Sequence, residues 1–367
     1  MSSASAAIAA LAGTSLDLIE AHQHASGAYP ACPHYPVYRF SWLRDGSFIA
    51  DAMSRGGRPA SAEAFFGWCA RVIDTRAERI AELIARAASG QHVPDTDLLP
   101  TRYTLDGDES DEPWENFQLD GYGTWLWALR AHRARFPRPD EPLRTAVATT
   151  VDYLVAFGTR PCFDWWEEQP TQRHVSTLAA VAAGLRAATD LLDDPARTAD
   201  ATRTADAIEA LILEQGTHDG HLAKWLGSTA VDGSLLSCLT AFATVEPGSP
   251  LAEATYLRVL ADLRADGVYR YRGDTFYGGG EWLLLTAWLG WYETLTGRDE
   301  LARTRLGWIA AQATPEGWLP EQVTGRAQDP SFVPVWTKRW GPVATPLLWS
   351  HAMFLTLAIE SKAWSPS

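Results

Sequence analysis

The stretch SAEAFFGWCARVIDTRAERIAELIARA, residues 61–87, decides the fold class. Its apolar residues fall three and four positions apart, the spacing that turns one face of a helix toward a core, and no proline interrupts it. The same period recurs over 4–22, 45–55, 116–136, 141–157, 171–190, 194–215, 231–244, 249–264, 280–296, 299–313 and 345–361, so the chain carries twelve predicted helices. Two starts have a visible cause: Asp193 and Asp194 stand before Pro195, and Ser249 stands before Pro250. Gly56, Gly57, Gly158, Gly216 and Gly297 sit where helices should stop. Strand signals are sparse, and only YPVYRF at 35–40 reads as a small hairpin. Twelve helices with intervening loops make six hairpins. Packed side by side they bury their apolar faces and close into an inner and an outer ring, an all-α barrel. An open solenoid would show a visible repeat, and none is present.

The bulk properties narrow the function. At 367 residues the chain exceeds the usual single core, yet a closed repetitive fold fills that length as one domain. Its formal charge of -14 repels phosphate backbones and anionic membranes, and no basic stripe offsets it, so neither nucleic acid nor a membrane is an expected partner. Solubility alone also accounts for an acidic balance. Cys32, Cys69, Cys162 and Cys238 form no CxxC pair and read as separate, mostly buried thiols. The histidines include no HExxH, and neither GxGxxG nor GxxxxGK occurs, so no metal or cofactor is expected. The first residues lack the basic start of a signal peptide and no apolar run is long enough for a bilayer; a cytoplasmic enzyme is the expectation. Oligomeric state is not legible.

The 17 tryptophans cluster beside polar residues in WLRDG, EPWENFQ, FDWWEEQ and GGGEW, more than a core requires. Flat aromatic walls with convergent polar groups suit the apolar faces of sugar rings. In FDWWEEQPTQRHVS, residues 163–176, Asp164, Glu167 and Glu168 crowd negative charge beside two indoles. Like charge and desolvation raise a carboxyl pKa, as a general acid near neutrality requires; the same run also reads as an acidic cap for the next helix. Glu321 in PEGWLPEQVTG is a second carboxylate for such chemistry, with Glu316 its competitor. Arg44 and Asp45 in SWLRDGSF supply a fork of donors beside an acceptor, equally a sugar clamp or a helix-start ion pair. EPWENFQLDGYG, with Trp114, Gln118 and Asp120, and YRYRGDTFYGGGEW, with Arg270, Asp274, Tyr277 and Trp282, read as pocket lining or as turns.

Taken in order, WLRDG at 42–46, ENFQLDGYG at 115–123, WWEE at 165–168, YRYRGDTFYGGGEW at 269–282, LPEQ at 319–322 and PLLWSHAMF at 346–354 resemble the glucoamylase-like inverting glycoside hydrolases of family 15. The resemblance spans nearly all the chain and implies an (α/α)6 barrel. It implies Glu167 as general acid, Glu321 as general base, and Glu168 as a contact to the sugar beyond the scissile bond. Arg44 and Asp45 match the clamp on the terminal glucose, and Arg270 matches a further sugar-binding arginine. Trp42, Trp114, Trp166 and Trp349 are the aromatic substrate contacts it implies. Direct displacement with inversion then needs carboxyls about 6.5–9.5 Å apart, with room for water between.

Residues 1–367 are therefore expected to form a single barrel domain with no N-terminal β-sandwich, because Arg44 and Asp45 come too early for one, and with no starch-binding module. The expected activity is an exo-acting α-glucosidase releasing β-D-glucose from short α-linked disaccharides and oligosaccharides, α-1,6 linkages such as isomaltose slightly ahead of α-1,4 maltooligosaccharides. The additional Trp165 is expected to reshape the leaving-sugar subsite. A trehalose-hydrolysing member, a non-catalytic carbohydrate-binding or sensor protein, and a phosphorolytic or β-glycan-active barrel are the alternatives.

Overall fold

In the computed structural model, which describes residues 3–114, 116–138 and 142–366, fourteen helices follow one another along the described chain. They are α1 (Ser3–His22), α2 (Leu43–Arg55), α3 (Pro59–Asp74), α4 (Ala77–Ala88), α5 (Asp120–Arg135), α6 (Arg144–Phe157), α7 (Val175–Ala188) and α8 (Pro195–Gln215), then α9 (Leu236–Leu239), α10 (Pro250–Leu263), α11 (Leu283–Leu295), α12 (Asp299–Ala310), α13 (Val333–Trp340) and α14 (Leu348–Glu360). Glu115 in the ENFQ motif and Glu141 at the start of a predicted helix lie outside the described residues.

The helices α2, α5, α7, α9, α11 and α14 pack in that order, and α14 returns to α2, which closes the inner ring. The helices α1, α3, α6, α8, α10 and α12 lie outside it. Two inner helices are apolar nearly all round because both faces are covered: Leu283–Glu293 of α11 and Leu348–Ala358 of α14 are buried throughout. At the α5–α7 crossing a side chain has no room. A Cβ on Gly123 would meet the Ala180 carbonyl oxygen at 2.2 Å, and one on Gly184 would meet the Gly123 oxygen at 2.4 Å. Two glycines therefore set how closely these inner helices approach.

Among the helices, the structure departs from the sequence expectation in three places. The 61–87 stretch is two helices, broken at Thr75 and Arg76: the Thr75 hydroxyl and the Arg76 guanidinium donate to the Val72 carbonyl, and Thr75 also serves Arg71, ending α3 with side chains instead of another turn. Segment 231–244 is reduced to a 3-10 turn and one turn of α-helix. Asp232 caps Ser234, and Ala243 takes a positive φ of 44° that stops propagation. The helix α13 was not predicted, since VPVWTKRW is short and largely exposed. Starts read from capping hold: Asp194 accepts from Ala196 and Arg197, and Ser249 accepts from Ala252.

Among the described residues three two-stranded ladders pin loops, two of them at the starts of α2 and α11. They are β1 (Ser41–Trp42) with β2 (Arg102–Tyr103), β3 (Thr217–His218) with β4 (His221–Leu222), and β5 (Glu281–Trp282) with β6 (Gln322–Val323), all antiparallel. The predicted 35–40 strand is instead a 3-10 turn at Pro36–Tyr38, and the extended pairing begins three residues later. All four cysteines are free and buried. Among the described residues no helix is long and apolar enough to cross a membrane.

Candidate active site

A cavity of about 730 Å3 opens where the inner helices begin. Its wall comes from the segments leading into α2, α5, α7, α11 and α14, so residues distant in sequence meet at one end of the ring. All ten residues expected from the sequence lie on that wall: Trp42, Arg44, Asp45, Trp114, Trp166, Glu167, Glu168, Arg270, Glu321 and Trp349. Glu316 is exposed and not on it, which removes the competitor for the second carboxylate.

Arg44 and Asp45 fall in the first turn of α2 because β1 ends directly before it. One guanidinium nitrogen donates to Gln118 Oε1 at 2.6 Å and Asp120 Oδ2 at 3.0 Å, and another lies 3.2 Å from Asp45. The Arg44 Nε and the Trp349 indole nitrogen, both buried, make no hydrogen bond to a described residue. Trp165 packs its ring among Phe48, Trp288 and Trp349, and Arg44 lies 5.7 Å from its centroid. Trp165, expected to shape the leaving-sugar subsite, thus lies on the cavity wall beside Arg44 and Trp349. It floors the Arg44 end, away from the contacts of Glu168.

The WWEE run is not a helix cap, for α7 starts at Val175 with His174 before it. Residues 164–168 form a closed turn instead. Asp164 Oδ1 accepts from the backbone N–H of Trp166 and of Glu168, both at 2.9 Å, while the Asp164 N–H donates to the Glu168 carbonyl at 2.9 Å. Glu167 sits at the tip with φ 64°, a strained conformation for a residue with a Cβ, costing roughly 1 kcal/mol or more. Its Oε1 accepts from the Trp42 indole at 2.9 Å. Glu168 Oε2 accepts from the Tyr271 hydroxyl at 2.6 Å, and Arg270 approaches Oε1 at 3.7 Å. Arg270 is itself held by a two-point bond to Asp274 and is flanked by the rings of Trp166, Phe276 and Trp282.

The second carboxylate is carried by a loop fastened to α14. Leu319 N–H donates to His351 Nε2 at 2.9 Å, Ser350 Oγ donates to the Pro320 carbonyl at 2.8 Å, and Glu321 N–H donates to the Ala344 carbonyl at 3.0 Å. Burial pushes His351 down to about 3, so the ring is neutral; its Nε2 accepts and its Nδ1–H donates to Ser15 Oγ. From the next residue, β6 pairs with β5 and sets Gln322 against Trp282.

Burial raises both carboxyls: Glu167 to about 7, opposed chiefly by Arg44 and the Trp42 bond, and Glu321 to about 8, opposed chiefly by Arg270 and then by Tyr38 and Gln322. The charge on Glu167 adds to the rise at Glu321. Asp45 is pushed up to about 6 by burial against the pull of Arg44.

Sequence reasoning missed Tyr38, although it is four residues from Trp42, and it missed the rim. Trp336, Arg339 and Trp340 of α13 reach the cavity, where Trp340 stacks on Trp114 with centroids 6.1 Å apart and Phe276 packs against Trp336 at 5.0 Å. The density of tryptophan in 336–340 was the available signal, and the absence of helical periodicity hid it.

A closed helical ring whose cavity carries two buried, proton-holding carboxyls, an arginine–aspartate fork and aromatic walls defines a glycoside hydrolase. The comparisons agree: residues 7–314 match Glycosyl hydrolases family 15. The isomaltose glucohydrolase of Kribbella flavida is 46% identical over 354 residues, covering 95% of this chain and 92% of that protein. A solved wild-type glycosidase superposes with a TM-score of 0.97 at 45% identity, and a variant glycosidase in complex with glucose with 0.96 at 44%, each pair covering 99% of both chains. The chain belongs to glycosyl hydrolases family 15, and it is an inverting, exo-acting α-glucosidase of the glucoamylase-like type.

Proposed function

We propose that the enzyme hydrolyses short α-linked glucosides, isomaltose foremost, from the non-reducing end, that residues 1–367 act as a single catalytic domain, and that Glu167 and Glu321 carry the chemistry. The observation that carries this reading is the meeting of both carboxyls with the Arg44–Asp45 fork on one cavity wall. The fork holds the terminal glucose at the closed end, against Trp349 and Trp165. An endo-acting enzyme would need an open groove past this point, and the arginine and aromatic floor occupy it.

In the working state the pair holds one proton. Hydrolysis needs it on Glu167, with the charge on Glu321 within the field of Arg270, although burial raises Glu321 the further of the two, to about 8 against about 7 for Glu167. Glu167 gives its proton to the glycosidic oxygen as the C1–O bond breaks. Glu321 takes a proton from the water that attacks C1 on the opposite face, and the released sugar is β-D-glucose. Glu168, Arg270 and Trp166 meet the leaving sugar. A primary C6 hydroxyl as leaving group places that sugar one exocyclic carbon farther from the scissile oxygen, toward the Trp114–Trp340 stack. The 46% identity to an isomaltose glucohydrolase supports the α-1,6 preference.

The test is a panel of isomaltose, kojibiose, nigerose, maltose, trehalose and longer oligomers, with and without phosphate, followed by proton NMR before mutarotation. Isomaltose should be the best substrate and β-glucose the first product. Faster turnover of trehalose or maltose overturns the linkage proposal, a requirement for phosphate overturns hydrolysis, and no turnover of any member favours a sugar-binding protein.

A further inference from the structure

Behind the acid turn lies a buried cation that the hydrolytic mechanism does not use. Lys224 follows β4, and its side chain is 7% exposed. Its Nζ lies 3.0 Å from Asp232 Oδ2 and 3.5 Å from Asp164 Oδ2, and 3.7 Å from the centroid of the Tyr271 ring. Each of these three neighbours touches a different part of the acid side. Asp164 ties the turn through the Trp166 and Glu168 amides. Asp232 receives the Trp166 indole N–H on both its oxygens, at 3.0 Å each. Tyr271 donates to Glu168.

We propose that Lys224 is a positioning residue for proton donation: by neutralising Asp164 and Asp232 together and seating Tyr271, it holds the 164–168 turn so that Glu167 keeps its strained place at the tip.

The physical case starts from the cost of two buried carboxylates. Without a cation between them they repel, and the cheaper outcome is protonation of one. Asp164 is the more susceptible: burial already raises it to about 6 and Lys224 is the principal influence opposing the rise. A protonated Asp164 is a weaker acceptor for the two amides that close the turn. Glu167 at φ 64° would then lose the backbone bonds that hold that angle, and the Trp42 bond to its carboxyl alone does not fix the backbone. Glu321 sits on a separate loop fastened to α14, so the water-activating side is left in place. Loss of Lys224 should therefore damage proton donation selectively.

A leaving group that needs little proton assistance separates this role from general support of the fold. The experiment compares isomaltose with α-D-glucosyl fluoride, whose fluoride departs with much less help from an acid than a sugar alkoxide does. For Lys224→Met, kcat on isomaltose should fall at least about tenfold while kcat on the fluoride changes less than about threefold, a partial version of the general-acid loss. The inference rests on the reading of Glu167 as acid, so Glu167→Gln is measured beside it and should show the same selectivity in larger measure. If Glu167→Gln loses both substrates equally, the acid assignment fails. If Glu167→Gln is selective while Lys224→Met lowers both in parallel, or neither, Lys224 has only a structural role and the inference falls. Asp164→Asn, which imposes directly the uncharged acceptor that loss of Lys224 would produce and leaves Lys224 paired with Asp232, provides the decision should Lys224→Met not fold: the same selective loss supports the inference, and parallel loss or none overturns it.

Discussion

Replacing Glu321 by glutamine removes a titrating group from the interior with almost no change in shape, and the consequence for stability can be worked out. The carboxyl is 3% exposed and is raised from 4.5 to about 8, burial being the largest cause. The unfolded chain releases this proton near 4.5, whereas the folded chain holds it until about 8. Folding therefore takes up a proton between those values. The stability linked to this group is whole below the unfolded value and is lost as pH rises through the folded one. At about 1.4 kcal/mol per unit, the loss between pH 5 and pH 8 is roughly 3 kcal/mol, with mutual repulsion from Glu167 already contained in it. Glutamine does not titrate. Urea unfolding of wild type and Glu321→Gln at the two pH values should show the variant gaining on the wild type by about 3 kcal/mol from pH 5 to pH 8. Its kcat should fall by about 10²-fold or more at both. Parallel stability curves, or a variant that gains toward low pH, would refute the claim that this carboxyl is held desolvated in the fold.

Three further outcomes follow from particular contacts. Arg44→Lys keeps the charge but cannot serve Gln118, Asp120 and Asp45 from one planar fork; kcat/KM on isomaltose should drop by about 30-fold or more, and an unchanged value would remove the clamp role. His351→Phe preserves ring volume and leaves the Leu319 N–H without an acceptor, so denaturant unfolding at pH 7 should show a loss of about 1–3 kcal/mol, most of it restored in His351→Gln. Gly184→Val drives a side chain into the Gly123 backbone, and thermal unfolding should show destabilisation by about 3 kcal/mol or more; a smaller effect means that α5 and α7 are free to separate.

What the sequence made legible follows from how local each cause is. Most helices could be read because the apolar spacing of one face is a local pattern, and the capped starts could be read because Asp194 and Ser249 act on amides two or three residues away. The polar side chains of the site were legible for a related reason: a charged residue such as Arg44 or Glu321 amid aromatic or apolar neighbours has few uses other than chemistry or an ion pair. The break at Thr75 was not legible, because it depends on a guanidinium that also reaches Gly107, across the fold. Trp165 shows the limit most clearly. Adjacent to Trp166 in sequence, it lies at the opposite, Arg44 end of the site, because the turn closed by Asp164 sends consecutive indoles in different directions: one to Phe48 and Trp349, the other to Asp232. The residues that hold that turn, Lys224 and Asp232, are some 60 positions downstream and carry no motif of their own. Proton donation thus depends on a local run that could be recognised and on a distant support that could not. Lys224→Met measured on two leaving groups tests that division, since local sequence around Glu167 is unchanged in the variant and only the support is withdrawn.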